Sequence, residues 1–159
     1  MRRISFCITL GMLFTLLVGC SSEQPTIKDS DASSTQGKYL ISGTLQNNTA
    51  DKDSYVVIYD LFDSTGNVIG CAVGSTETEI GKGEESHFGA IGTSAKIELP
   101  LTKDNFSFLY GALYSAANSS SIDVTKIDHY SEKGIISSSE INDIARQATN
   151  DIKSRQQMQ

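Results

Sequence analysis

Residues 54–73 decide the fold. They read Ser54-Tyr55-Val56-Val57-Ile58-Tyr59-Asp60-Leu61-Phe62-Asp63, then Ser64-Thr65-Gly66-Asn67, then Val68-Ile69-Gly70-Cys71-Ala72-Val73. The first run is dense in aromatic and β-branched side chains, which suit a pleated, half-buried surface. Side chains along a strand alternate between two faces, so Tyr55, Val57, Tyr59 and Leu61 share one of them. Ser64 to Asn67 is a turn cluster, with Gly66 suited to positive φ. The second run returns as the partner strand. A hairpin at the centre of the chain is therefore predicted.

Working outward, the two-fold pattern continues on both sides. Upstream, Tyr39, Ile41, Gly43 and Leu45 alternate with Lys38, Leu40, Ser42 and Thr44, and residues 47–53 form a turn-rich loop. Downstream, Gly81-Lys82-Gly83-Glu84 is a turn, Ser86 to Ile91 a strand, and Ala95 to Leu99 a short strand stopped by Pro100. Phe106 to Tyr114 alternates clearly, with Phe106, Phe108, Tyr110, Ala112 and Tyr114 on one face. Ile122 to Tyr130 supplies a last strand. About seven strands with frequent turns predict a mainly β domain over residues 38–130, an antiparallel β-sandwich.

The two ends differ from this middle. After a linker from residue 131, Ser137 and Glu140 are spaced as a capping box. Ile141, Ile144, Ala145, Ala148 and Ile152 then form one stripe of a C-terminal amphipathic helix within 131–159. At the other end, Met1-Arg2-Arg3 precedes an apolar run from Ile4 to Val18. Positive charge followed by about fifteen apolar residues is the order of a secretory signal, shorter than the roughly 20 that span a bilayer. The run closes on Leu17-Val18-Gly19-Cys20, which resembles a lipobox. That resemblance implies a leader of residues 1–19, cleavage after Gly19 and acylation of the Cys20 thiol. It places the domain on the extracytoplasmic side of the cell membrane or the outer membrane, held there by lipid. Residues 20–37 are serine-rich and without period, and read as the lipidated cysteine and a flexible polar tether.

Taking the 19-residue leader from the 159-residue chain removes Arg2 and Arg3 and moves the formal net charge from −6 to −8. An acidic surface repels nucleic acid and anionic headgroups, so no nucleic-acid partner is expected. Of the three cysteines, Cys7 leaves with the leader and Cys20 is acylated. Cys71 then has no partner for an internal disulfide and reads as a buried strand residue.

Tyr59-Asp60-Leu61-Phe62-Asp63 resembles the aromatic-x-Leu-aromatic-Asp signature of the FxLYD-type domains, followed as in that family by a glycine turn at Gly66 and a return strand. Gly43-x-x-x-Asn47 upstream, and Ile80, Gly83-Glu84 and Phe88 downstream, fit the same pattern. The resemblance covers about residues 39–90 and departs from the family after that, where residues 93–105 look like an insertion. It implies an immunoglobulin-like sandwich on a bacterial cell-envelope lipoprotein, with Tyr59, Leu61, Phe62, Asp63 and Gly66 as structural signature residues. It implies no catalytic residues. Asp63 is expected to hydrogen-bond the turn backbone after it.

Site chemistry is sparse. His87 and His129 each stand alone, no Cys-x-x-Cys or metal-ligand spacing occurs, and no Gly-x-Ser-x-Gly elbow is present. Gly70-Cys71-Ala72-Val73-Gly74-Ser75-Thr76 has the look of a phosphate loop but lacks its lysine. Glu77, Glu79, Glu84 and Glu85 read as a solvated acidic loop, or else a weak Ca²⁺ site or a contact for a basic partner. No cofactor, metal or catalytic residue is expected. The leading expectation is a non-catalytic interaction or structural module with an envelope protein or cell-wall partner. The alternatives are an envelope hydrolase using a histidine, or a small-ligand or carbohydrate binder using Phe106, Phe108, Tyr110 and Tyr114 as an exposed stacking platform, although the first expectation for that aromatic row is burial in the sandwich core.

Overall fold

In a computed structural model that describes residues 23–118 and 122–157, the central hairpin forms over Tyr55–Phe62 (β3) and Val68–Thr76 (β4). Around it lie Thr26–Thr35 (β1), Lys38–Gln46 (β2), Glu85–Thr93 (β5) and His129–Ser137 (β6), with helices Phe106–Asn118 (α1) and Ser138–Gln157 (α2). The strands are antiparallel throughout and stand in the order β1-β2-β5-β4-β3-β6. The mainly β, antiparallel character and the C-terminal helix are as the sequence indicates. Among the described residues the strands number six, and they form one sheet that curls instead of two facing sheets.

The curl follows from where small and large residues face. On the inner surface Tyr55, Val57, Tyr59 and Leu61 of β3 lie opposite Thr76, Gly74, Ala72 and Gly70 of β4. Beyond them come Phe88, Ala90 and Gly92 of β5, then Gly43 and Ile41 of β2. The small residues in the middle strands let large side chains fill the concavity, where Tyr59 stacks on Phe88 at 6.3 Å. Gly74 shows the closeness: a Cβ there would meet the Gly89 carbonyl oxygen at 1.8 Å. On the outer surface Val56, Ile58, Cys71, Val73 and Ile136 form a second core with Ile97, Leu101 and the two helices.

Several expected boundaries are corrected. Residues 26–35 are strand β1 and not tether, which leaves Ser21 to Pro25 between Cys20 and the sheet. Residues 131–137 are part of β6 rather than linker, and of Ile122 to Tyr130 only the last two residues are strand. Residues 95–99 form no strand. Phe106 to Tyr114 is helical, the largest departure. Leu109, Ala112 and Ala116 are its buried positions, spaced three and four apart, so the helical period coexists with the two-fold one. Residues 1–19, with Leu17, Val18, Gly19, and Cys20 lie outside the described residues.

The β3–β4 turn explains the signature aspartate. Asp63 Oδ1 accepts from the Thr65 and Asn67 backbone N–H groups at 2.9 Å each and from Thr65 Oγ1 at 2.7 Å. Gly66 sits at φ 83°. The Thr65 hydroxyl first, then the Asn67 N–H, hold the carboxyl at a pKa of about 2. A carboxylate with a depressed folded pKa contributes stability above its unfolded value, near 4, and loses it as pH falls through the folded one. Asp63→Ala is therefore expected to lower the melting temperature at pH 7. The gap to the parent protein should narrow between about pH 4 and pH 2. A gap independent of pH in a melting series would show that the carboxylate charge is not what the turn uses.

Asn47 does the equivalent work for the 47–53 loop. It is fully buried, donates through Nδ2 to the Asp51 and Ile80 carbonyls at 2.7 and 2.8 Å, and accepts at Oδ1 from Thr49 N–H and Oγ1 at 2.8 Å each. A buried amide with donors and acceptor all satisfied specifies one loop conformation.

Candidate functional site

Helix α1 is built to lie close to the sheet and to leave its large side chains outside. Asn105 closes the turn before it, Oδ1 accepting from Thr102 N–H at 2.7 Å and Nδ2 donating to the Pro100 carbonyl at 3.2 Å. Small Ala112 and Ala116, with Leu109, face β4 and β5, so the axis approaches Cys71 and Val73. Thr93 Oγ1 donates to Ser115 Oγ at 2.9 Å, tying the helix to the edge of that core.

The rest of its surface carries Phe108, Tyr110 and Tyr114 at 61%, 46% and 73% exposure. Ile152 is the one other large apolar side chain so exposed among the described residues, so exposure of this kind concentrates on α1. Isolated exposed apolar residues are ordinary, whereas a cluster of them marks an interaction surface. Nothing in α1 is charged: Phe106 to Asn118 contains no Asp, Glu, Lys or Arg. Gly111 lies between Tyr114 and Phe108 on the helix surface with open space where a Cβ would stand, so the surface is notched between the two flanks. Phe106 alone of the predicted platform is half-buried, its ring edge-on to Tyr110 at 5.9 Å, which holds Tyr110 in place. The helix thus brings Phe106, Tyr110 and Tyr114, four residues apart, to one side and sets Phe108 about 160° round the axis from Tyr110.

The other predicted residues fall elsewhere. Tyr59 and Leu61 are buried in the concave core, while Phe62 is half-buried on the outer surface and stacks on His129 at 4.7 Å. His129 Nδ1 lies 3.0 Å from Asp128 Oδ2, and His87 Nδ1 lies 3.4 Å from Thr44 Oγ1; both rings are exposed, and neither bonds a serine or cysteine among the described residues. Cys71 is fully buried, and burial pushes its thiol up to about 12, away from the depressed range of reactive thiols. Glu77, Glu79, Glu84 and Glu85 are exposed, Glu84 accepting from Gly81 N–H at 2.7 Å. No group of three or more His, Cys, Asp or Glu among the described residues is placed to hold a metal ion. No described helix is long and apolar enough to cross a membrane.

The strand reading expects this aromatic row in the core; instead the segment is helical and Phe108, Tyr110 and Tyr114 are exposed. The signal that finds it is the Leu109, Ala112, Ala116 spacing together with a run of 13 residues, long for a strand. Comparison with family models, with curated proteins and with solved structures finds no match for this chain.

Proposed function

We propose that this protein is a lipid-anchored, non-catalytic interaction module of the bacterial cell envelope, docking on another envelope protein through the exposed face of α1. The single observation that carries the docking is the uncharged exposed surface of α1, with Tyr110 and Tyr114 on one flank and Phe108 on the other. Tyr and Phe supply large contact area at small conformational cost, and an apolar patch without charge suits a protein surface of the same kind. The anchor rests on Leu17-Val18-Gly19-Cys20, and the likeness to FxLYD-type domains fits an envelope location. With five residues between Cys20 and β1, an extended linker reaches at most about 15–20 Å, which would hold the sheet near the bilayer surface.

The test combines fractionation and crosslinking. In cells, Cys20→Ala should move the protein out of the membrane fraction. A photo-crosslinking amino acid at Tyr114 should capture a discrete partner that Phe108→Ser with Tyr110→Ser abolishes, with the melting temperature unchanged. Capture of cell-wall glycan instead would assign the face to sugar stacking. Membrane retention of a processed Cys20→Ala protein would remove the anchor from the reading. No crosslink at Tyr114 would remove the docking face.

A further inference from the structure

A second surface lies where the curled sheet fails to close. The edges of β1 and β6 face each other with no ladder between them. At one end they are drawn together: the Tyr130 hydroxyl donates to the Ser30 carbonyl at 3.4 Å, and Tyr130 packs edge-on against Tyr59 at 5.5 Å. Beyond that point each strand carries a bulge. Lys28 is the unpaired residue in β1 and Lys133 in β6. A bulge bends its strand and increases the local twist. The gap becomes a cleft of about 540 Å³ flanked by Glu23 and Pro25 on one side and Glu132 and Ile135 on the other, with Asp51 and Tyr55 between.

We propose that this cleft receives an extended, basic peptide segment of another protein, which adds to the free edge of β6 as a further strand. Beyond its bulge, β6 runs regularly from Gly134 to Ser137 against β3, leaving its outer backbone N–H and C=O groups without a strand partner. An exposed edge of this kind is the template for strand addition. The facing wall is a poorer partner for it at Pro25, which has no N–H to donate. That wall is also fixed, Asn48 Nδ2 donating to the Gln24 carbonyl at 2.9 Å and Lys82 pairing with Glu23 at 2.6 Å.

Charge selects the occupant. Among the described lining residues Lys133 is the one cation, and Asp60 neutralises it at 2.9 Å on the outer surface. Asp51, Glu132 and Glu140 line the same space and form no ion pair among the described residues.

The test uses the mature full chain in detergent and a fluorescent octapeptide of alternating lysine and valine, followed by anisotropy. The peptide should bind with an affinity that falls as salt rises. Its glutamate–valine counterpart should bind at least tenfold more weakly. So should a lysine–valine peptide N-methylated at alternate residues, which keeps the charge and loses the strand donors. Asp51→Lys with Glu132→Lys, both exposed, should weaken binding at least tenfold with the melting temperature unchanged, and amide exchange at residues 134–137 should slow on binding. Equal binding of the N-methylated peptide, indifference to the charge reversals, or no binding would each overturn the proposal. A concentration-dependent dimer protecting residues 134–137 would overturn it as well, by giving the edge to a second copy.

Discussion

Leu61→Ala is expected to destabilise the domain by about 2–5 kcal/mol, the range for truncating a fully enclosed leucine. Leu61 is 0% exposed and sits on the concave side of β3. Glycine 70 faces it across the β4 ladder and Tyr130 across the β6 ladder. Its Cδ1 would lie 3.3 Å from a Cβ on Gly92, and Ile122 packs in the same cluster. Such a site is bounded by backbone on several sides and cannot collapse around the missing atoms, so the upper half of the range is expected. Phe62→Ala, one residue on and half-buried on the outer surface, is the control and should cost less, since it loses chiefly the stack on His129. Urea unfolding of both variants measures the difference. A loss at Leu61 below about 0.5 kcal/mol would mean that β3 is displaced by one residue and presents Leu61 to solvent.

The alternation that places Leu61 is legible because β3 is buried on both faces yet keeps its largest side chains on one. Val56 and Ile58 meet the helices, while Tyr55, Val57, Tyr59 and Leu61 meet the concavity. The β3–β4 turn is equally legible, since Asp63 and Gly66 act through bonds made within five residues. What the sequence hid has physical reasons. Strand β1 is held by its ladder to β2 and buries little, with Ile27 and Ala32 only half-buried, so its composition is that of a polar linker. The stretch Gly70-Cys71-Ala72-Val73-Gly74 carries the information about curvature in its small residues, but smallness on one face of a strand does not say which way a sheet bends. In α1 the aromatics alternate by two, and a strand reading sends them inward together. The buried contacts are made by Ala112 and Ala116, whose weak apolar signal is outvoted by four aromatic rings. The cleft depends on two bulges, which are properties of pairing and cannot be read from either strand alone.

Removing α2 by ending the chain after Ser138 is expected to lower the melting temperature sharply, because the helix closes part of the outer core. Its start is specified locally. Ser137 Oγ accepts from the Glu140 N–H at 3.1 Å, and Asp53 Oδ2, from the loop before β3, accepts from the Ser139 N–H at 3.2 Å and from the Ser139 hydroxyl. An isolated helix of this length is marginal in water, so packing must hold it. Ile141 and Ile144, at 7% and 9% exposure, join Val56, Ile136 and Leu109 in the outer core, and Ala148 is buried at 9%. Further along, Lys103 pairs with Asp151, pinning the helix to the loop before α1. Two buried isoleucines at about 1.5–3 kcal/mol each make the docking worth roughly 3–6 kcal/mol, an upper bound for side chains that keep some exposure. The far end of the stripe behaves differently, since Ile152 is 59% exposed. Point substitutions resolve this without truncation. Ile141→Ala with Ile144→Ala should account for most of the loss in a thermal melt, whereas Ile152→Ala should stay within about 0.5 kcal/mol. An unchanged melting temperature in the double variant would mean that the helix leaves the sheet in solution and presents its stripe to a partner.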